Sequence, residues 1–224
     1  MHQQLQASLE YRLTTSFTVK HSKAMSTTTI TSTQHDRARV LSVSRSSSHT
    51  VSKSPAPFIT LVAGLGVQGD CHSGRSVQHQ SLLHANPGAI NLRQIHLVST
   101  ESLRHVSARL TSSKPLSAGE IGENVTTEGI DLPTLPRGTE LHFVDDNESG
   151  DRAIIVLTGL RNPGPGINKC RPGLQALFAV RSEDHKMAKH LAGVMATVKA
   201  GGVIRPGMTI KIVRPSEARP LAII

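Results

Sequence analysis

Short apolar segments separated by glycine- and proline-rich loops recur along most of this chain, and they constrain its fold more than any other feature. The eighteen glycines and twelve prolines favour turns and short strands over long helices. Strands are predicted at residues 38–43, 58–62, 92–98, 120–126, 139–144, 153–157, 194–199 and 208–213. Many short strands with few helices predict a mainly β fold, a closed or partly closed β-barrel with a few short helices.

Two short helices are predicted beside these strands. Ser99 precedes residues 101–110, in which Leu103, Val106 and Leu110 recur at helical spacing. We therefore expect a helix with Ser99 as its N-cap and one apolar face. A second short helix is predicted at 174–180, directly after a Pro-Gly turn.

Residues 1–37 are predicted to form a disordered, Ser/Thr-rich extension. Seven of the eight residues at 26–33 are serine or threonine, a composition that is too polar to bury. The first 25 residues contain three basic residues and one acid, Glu10, so a mitochondrial transit peptide is the alternative, although arginine is scarce for one. A folded domain is expected at 38–214, with a C-terminal tail at 215–224.

The net charge of +9 is concentrated at the N-terminal end, where residues 1–55 contribute +5. The rest of the chain is nearly balanced, and tryptophan is absent while tyrosine occurs once. This scarcity of aromatic residues argues against a stacking platform for single-stranded nucleic acid. The charge distribution argues against nucleic-acid binding as the main function, although the basic N-terminal region keeps it as an alternative.

Cys71 and Cys170 are the two cysteines of the chain, too few for a disulfide framework and not arranged as a Cys-x-x-Cys pair. This usage fits a reducing compartment, so we expect a cytoplasmic protein, or a mitochondrial one if residues 1–35 are a transit peptide. No run approaches the ~20 apolar residues of a membrane-spanning helix, which predicts a soluble protein.

The loop TGLRNPGPGINKCRPG at 158–173 carries Arg161, Asn162 and Cys170. It follows the apolar run at 153–157, which is predicted to be a strand buried on both faces. A glycine- and proline-rich loop at the end of a rigid strand is a common way to present binding groups. An ordinary turn is the alternative for this segment.

Further segments of the chain resemble motifs of MOSC domains, the molybdenum-cofactor sulfurase C-terminal-like domains, and occur in the same order. They are GLGVQGDCH at 64–72 with NLRQIHL at 91–97, then GEIGENVTTEGIDL at 119–132, the loop at 158–173 and GVMATVKAGGVIRPG at 193–207. The resemblance covers about residues 38–213 and implies a barrel similar to the small barrel domain of pyruvate kinases. It also implies a stand-alone MOSC protein without the pyridoxal-phosphate-dependent desulfurase domain, so pyridoxal phosphate is not expected in this chain.

The resemblance implies that the ligand is the molybdenum cofactor, a molybdopterin. Its phosphate needs cationic or backbone N–H partners, and its pterin edge needs hydrogen-bonding groups. Arg161 and Asn162, beside Gly164, are expected to supply them. The alternative for Arg161 is an ordinary surface arginine.

Additional cofactor-binding residues are expected in the other motifs. Arg93 and Gln94 match the family's Arg-Gln pair, and an arginine at the end of an apolar row suggests a barrel mouth; a structural pair with Glu123 is the alternative. Glu123 and Asn124 match the family's Gly-Glu-Asn turn, which a purely structural turn would equally use. Asp70, in a glycine-bent loop, is expected to anchor the cofactor.

Gly164 stands where the family pattern Thr-Gly-Leu-Arg-Asn-Pro-Cys has its cysteine. In the family that thiol carries the chemistry, as a persulfide carrier or a molybdenum ligand, and glycine can do neither. Cys170 and Cys71 are the candidate catalytic thiols to replace it, with simple packing roles as the alternative.

His72 is the third candidate catalytic residue, for proton transfer at the cofactor mouth. A protonated His72 would also favour the thiolate of Cys71. A zinc site here lacks clear partners, although His79 and His84 follow in the sequence.

The family resemblance therefore implies an enzyme that reduces N-hydroxylated compounds or handles sulfur for the cofactor. A small-molecule substrate and a separate electron or sulfur donor protein would be its partners. The alternative is a catalytically silent module that binds or carries the cofactor.

Overall fold

The computed structural model of the protein describes residues 38–79, 83, 86, 88–111, 114–145, 152–181 and 188–224. The predicted extension at 1–37, its transit-peptide alternative and His84 lie outside the described residues. Within the described ranges, no helix has the length and apolar character needed to cross a membrane.

Thirteen short strands and two short helices form the described part of the chain. The strands are β1 (Arg39–Arg45), β2 (Ser54–Ala56), β3 (Ile59–Val62), β4 (Gly66–Val67), β5 (Ile95–Ser99), β6 (Val125–Glu128), β7 (Glu140–Val144), β8 (Ile154–Leu160), β9 (Ala179–Arg181), β10 (Ala188–His190), β11 (Val194–Ala200), β12 (Gly202–Ile204) and β13 (Thr209–Val213). The helices are α1 (Thr100–Ser107) and α2 (Leu174–Phe178), and 3-10 turns lie at Leu132–Thr134 and Pro165–Lys169.

Seven of these strands close into a barrel in the order β13-β7-β8-β11-β5-β6-β1. The closure is made between β1 and β13, where Arg39 lies opposite Thr209. Neighbouring strands are antiparallel except β5 and β6, which run parallel. The predicted mainly β fold and closed barrel are confirmed.

Alternate side chains of the barrel strands fill its interior. On β8, Ile155 and Leu157 are buried, while Ile154 and Val156 are partly exposed. The prediction that this run is buried on both faces is therefore wrong, because a barrel wall has the core on one side only. The core also contains Leu141 and Phe143 of β7.

Helix α1 confirms the predicted N-cap, because the Ser99 hydroxyl accepts a hydrogen bond from the Ser102 amide (3.2 Å). Its buried apolar side chains, Leu103 and Val106, belong to a second apolar cluster outside the barrel. That cluster includes three residues from the loop at 158–173 and the helix after it: Ile167, Leu174 and Phe178. The loop therefore rests on a small core of its own.

The chain at 119–124 forms a tight turn, and β6 begins only at Val125. The prediction of a strand from residue 120 is wrong at this end. Gly122 has a φ of +86°, a conformation that favours glycine. A Cβ there would lie 2.6 Å from the carbonyl oxygen of Val51. The turn thus packs closely against the loop before β2.

Other boundaries also differ from the predicted ones. β5 begins at Ile95 and not at residue 92, and α2 ends at Phe178, where β9 follows. The C-terminal residues lie along the end of β8: the Leu160 amide donates to the Ala222 carbonyl (2.7 Å), and Leu221 is buried in the main core.

Candidate functional site

A cavity of about 170 Å³ lies where the loops that carry the sequence motifs meet. The residues that line it are Thr50, Val51, Lys53, His72, His79, Arg93, His96, Gly122, Asn124, Arg161, Gly164, Gly166, Ile167 and Met195. Three of them are cations, Lys53, Arg93 and Arg161, and no Asp or Glu is among these described lining residues. The cavity is therefore suited to an anionic ligand.

Arg161 follows β8 directly, and the buried carboxylate of Glu123 is the nearby acid whose charge favours its ionised form. Its Nη1 atom is buried and has no hydrogen-bond partner among the described residues. Burial lowers the pKa of the guanidinium to about 10, so it keeps its charge at neutral pH. A buried, charged donor without a partner is costly, and an anion in the cavity would offset this cost.

Lys53 is held by a buried ion pair with Asp70. The Lys53 ammonium lies 2.9 Å from Asp70 Oδ1 and 2.8 Å from Oδ2. Burial opposes ionisation of Asp70, but hydrogen bonds from His72 and the charge of Lys53 outweigh it and hold the pKa of that carboxyl well below its usual range. Asp70 is therefore a structural anchor of the cavity wall, and it also accepts from the Ser46 amide (3.2 Å).

Burial favours the neutral form of each histidine that lines the cavity. Burial, together with the positive charges around it, lowers the pKa of His79 to about 3. Burial also lowers the pKa of His72 and, much further, that of His96. His79 Nε2 is buried without a hydrogen-bond partner among the described residues, so it is a second polar atom that a ligand would satisfy.

Asn124 and Gln94 connect the loops around the cavity. Asn124 donates to Asp70 Oδ2 (3.0 Å), and its Oδ1 accepts from the His96 amide (3.2 Å). Gln94 donates to the Gly64 carbonyl (2.8 Å) and accepts from the Val198 amide (2.9 Å). Asn124 also lines the cavity, whereas Gln94 is outside the lining and uses its amide to hold β11 against the glycine turn.

Glu123 is fully buried beside the cavity floor. Its Oε1 accepts from the Gly119 amide (2.7 Å) and from the Thr126 hydroxyl (3.2 Å). Burial raises the pKa of the carboxyl. These contacts support the turn at 119–124, and Glu123 is outside the cavity lining. Its Oε2 is buried without a hydrogen-bond partner among the described residues, and its charge interacts favourably with that of Arg161.

The two cysteines lie away from the cavity lining. Cys170 donates through Sγ to the Glu120 carbonyl (3.2 Å) and packs beside the second apolar cluster. Cys71 lies nearer, with Sγ 3.3 Å from Nδ1 of the cavity residue His72. Burial and the charge of Asp70 raise the pKa of the Cys71 thiol. Burial also lowers the pKa of His72, which disfavours the protonated imidazole expected to support a thiolate.

Gly164 lines the cavity, and Asn162 does not. Asn162 is exposed at the surface. Gly164 has a φ of −73° and a ψ of 162°, and a Cβ added to it would meet no atom within 4 Å. Position 164 is therefore open and unstrained, and a side chain there would be directed at free space.

A sequence model of the MOSC domain matches residues 80–211. The chain belongs to the MOSC domain family. The match contains the motifs at 91–97, 119–132, 158–173 and 193–207, while the segment at 64–72 precedes it. This family is associated with the molybdenum cofactor.

Solved structures agree with the fold of this MOSC protein. It is similar to the YuaD protein from Bacillus subtilis, with a TM-score of 0.62, 20% sequence identity, and 78% of this chain and 94% of that chain covered. It is also similar to YiiM from Geobacillus stearothermophilus, with a TM-score of 0.51, 16% identity, and 79% and 75% covered. No curated protein matches the chain. At these identities the similarity concerns the fold alone.

The cavity fits one end of a molybdopterin better than the other. Arg161, whose Nη1 has no hydrogen-bond partner among the described residues, and Arg93 suit its phosphate. The described lining residues include no cysteine, and their one sulfur atom is the thioether of Met195. The residues present therefore fit the anionic end of the cofactor and do not fit a thiolate-ligated metal centre.

Sequence reasoning missed several residues of the cavity. Lys53 lies in a Ser- and Pro-rich loop that gave no periodic signal, and its partner Asp70 is far along the chain. His96 could have been found from the sequence. It is an imidazole inside the apolar segment Ile95–Ser99, and a buried imidazole needs a hydrogen-bond partner. The sequence offers His79 only as a possible zinc ligand.

Proposed function

We propose that this MOSC protein binds the molybdenum cofactor in the cavity and acts as a binding or carrier module. The observation that supports this proposal most strongly is the buried, unpartnered Nη1 of Arg161. An arginine fork forms short, charge-assisted hydrogen bonds with phosphate. Arg161 would hold the phosphate, and Arg93 would contribute the second charge.

The imidazoles of the cavity would contribute orientation in this proposal. His79 Nε2 offers a hydrogen bond from a buried position, as a polar edge such as that of a pterin requires. His96 is already bound through Nε2 to the Ala192 carbonyl (2.6 Å) and would form part of the wall. The bound cofactor itself would supply the metal and its redox chemistry.

The carrier role is proposed because the position of the family thiol is Gly164. Within the described residues, neither Cys71 nor Cys170 lines the cavity. The thiol that carries the family chemistry is thus missing from the cavity, while the anion-binding groups are retained. Binding without reduction or sulfur transfer follows from this combination.

Protein purified from a host that makes the cofactor tests the proposal. We expect pterin, measured by fluorescence after oxidation and release, in amounts that approach one per chain. An N-hydroxylated test substrate with a chemical electron donor should show no reduction. Protein without bound pterin, from a host whose other molybdenum proteins are loaded, would contradict binding; reduction by the wild type would contradict the carrier role.

Gly164→Cys is expected to give the cavity the missing thiol without a cost in stability. The free energy of unfolding should change by less than about 0.5 kcal/mol, because the site is open and unstrained. Molybdenum retention during dialysis against a chelator should increase, and reduction of the N-hydroxylated substrate should rise above the wild-type level. Gly164→Ser is the matched control, since it adds a side chain of similar size without a thiol.

Equal retention and activity in Gly164→Cys and Gly164→Ser would contradict the proposed geometry at this position.

Reduction of N-hydroxylated compounds by the natural chain is the second candidate function. It is favoured by the 3.3 Å distance between Cys71 Sγ and Nδ1 of the cavity residue His72. That candidate requires Cys71→Ser, but not Cys170→Ser, to abolish an activity that the wild type possesses.

A further inference from the structure

Three potential metal ligands from two separate loops come together beside the cavity. They are His49, Cys71 and His72, and one ligand atom from each lies within 4.8 Å of the other two. We propose that these three residues form a zinc site at the edge of the cavity. The proposed site is distinct from the anion-binding groups and does not depend on the cofactor proposal.

The distances within the cluster agree with a shared tetrahedral ion. Cys71 Sγ lies 3.3 Å from His72 Nδ1. Bond lengths of ~2.3 Å to sulfur and ~2.0 Å to nitrogen place two such ligand atoms ~3.5 Å apart in a tetrahedron. The His49 and His72 rings are 5.1 Å apart between centroids and nearly perpendicular. Small side-chain rotations would therefore bring all three ligands to one ion.

Backbone hydrogen bonds hold the two loops in register. The Cys71 amide donates to the Ser46 carbonyl (2.8 Å), and the Ser46 amide donates to Asp70 Oδ2 (3.2 Å). Around His49, the Thr50 amide donates to the Ser48 carbonyl (2.8 Å). The ligands are thus brought together by the fold before any ion binds, which lowers the cost of ordering them.

The buried carboxylate of Asp70 lies next to the cluster. Asp70 Oδ1 lies 3.3 Å from His72 Nδ1 and 3.9 Å from Cys71 Sγ. The negative charge of this carboxylate, so close to two of the proposed ligand atoms, favours a bound cation. Asp70 itself is held by Lys53 and Asn124, so its own position is fixed.

The ligand set selects the kind of metal. A thiolate with two imidazoles suits zinc, whereas magnesium and calcium prefer oxygen ligands. Three protein ligands leave one position for water or an anion. Because His72 lines the cavity, that open position adjoins the space that Arg93 and Arg161 make attractive to anions. The chain would therefore have a sulfur-ligated metal although its Gly164 position has no thiol.

Cobalt(II) binding to the full chain, made without the molybdenum cofactor and stripped of metal, tests the site. We expect one cobalt ion per chain with a near-ultraviolet sulfur-to-cobalt charge-transfer band, and zinc should displace it. Cys71→Ser should remove the band and weaken zinc binding at least about tenfold, since even changes behind the ligands cost that much. Cys170→Ser and His105→Ala are matched controls that should bind as the wild type does.

His49→Ala provides a second variant because His49 is exposed and its replacement leaves the buried groups in place. It should weaken zinc binding and retain the charge-transfer band. The proposal would be overturned if cobalt bound without this band. It would also be overturned if Cys71→Ser and His49→Ala, both folded by circular dichroism, bound zinc as tightly as the wild type.

Discussion

Arg161→Met should reduce cofactor binding by about 10- to 150-fold, which corresponds to the ~1.5–3 kcal/mol of a charged hydrogen bond. The pterin that co-purifies with the protein should fall accordingly. The thermal unfolding midpoint should fall only slightly, because Nη1 makes no hydrogen bond within the described residues and methionine keeps the apolar stem. The small loss expected is that of the favourable charge interaction with buried Glu123. Loss of binding with little loss of stability is the signature of a ligand-binding residue.

Lys169→Ala is the matched control for this change. Lys169 is an exposed cation on the same loop, outside the cavity lining, so its removal changes the net charge equally. Pterin retention should remain at the wild-type level. Equal losses in the two variants would show that overall charge, and not Arg161, governs binding; a large loss of stability in Arg161→Met would show a structural role.

Asp70→Asn should destabilise the protein by about 3–5 kcal/mol, because it leaves the buried Lys53 charge without its partner. For a chain of this size the thermal midpoint should fall by roughly 10 °C. Thermal or denaturant unfolding, measured with a chelator present, checks this. The side chains of Lys53 and Asp70 are 2% and 1% exposed, so solvent cannot replace the lost interaction.

Two comparisons make the Asp70→Asn result specific. Glu217→Gln removes a carboxylate from the pair with Arg219, in which both side chains are 78% exposed, and should leave the midpoint unchanged. Lys53→Met combined with Asp70→Asn should be more stable than Asp70→Asn alone, because the unpaired charge is removed. Equal stability of the single and double variants would contradict a strong pair.

The barrel could be predicted from the sequence because its signals are local. Alternation of apolar residues gave β1, β7, β11 and β13 to within one or two residues, and Ser99 marked the start of α1. Strands of two or three residues, such as β4 and β12, are too short to show alternation. The turn at 119–124 does not show in the sequence, because its geometry depends on contact with the loop around Val51.

The candidate site could be predicted only in part, because contacts between distant segments of the chain assemble it. The motifs predict six residues that lie in or beside the cavity: Arg161, Arg93, Asn124, Asp70, His72 and Gly164. Lys53 and His49 belong to a loop without periodicity, and tertiary structure alone brings them to Asp70 and Cys71. Sequence spacing likewise cannot show that Cys170 bonds to the Glu120 carbonyl outside the cavity lining.

A crystal structure of the protein purified with its cofactor would test the central claim most directly. We predict phosphate density within hydrogen-bond distance of Arg161 Nη1, and an anomalous molybdenum signal with no cysteine sulfur of this chain within bonding distance. A cofactor bound elsewhere, or a cavity filled by side chains with Arg161 paired to a carboxylate of the protein, would contradict the account.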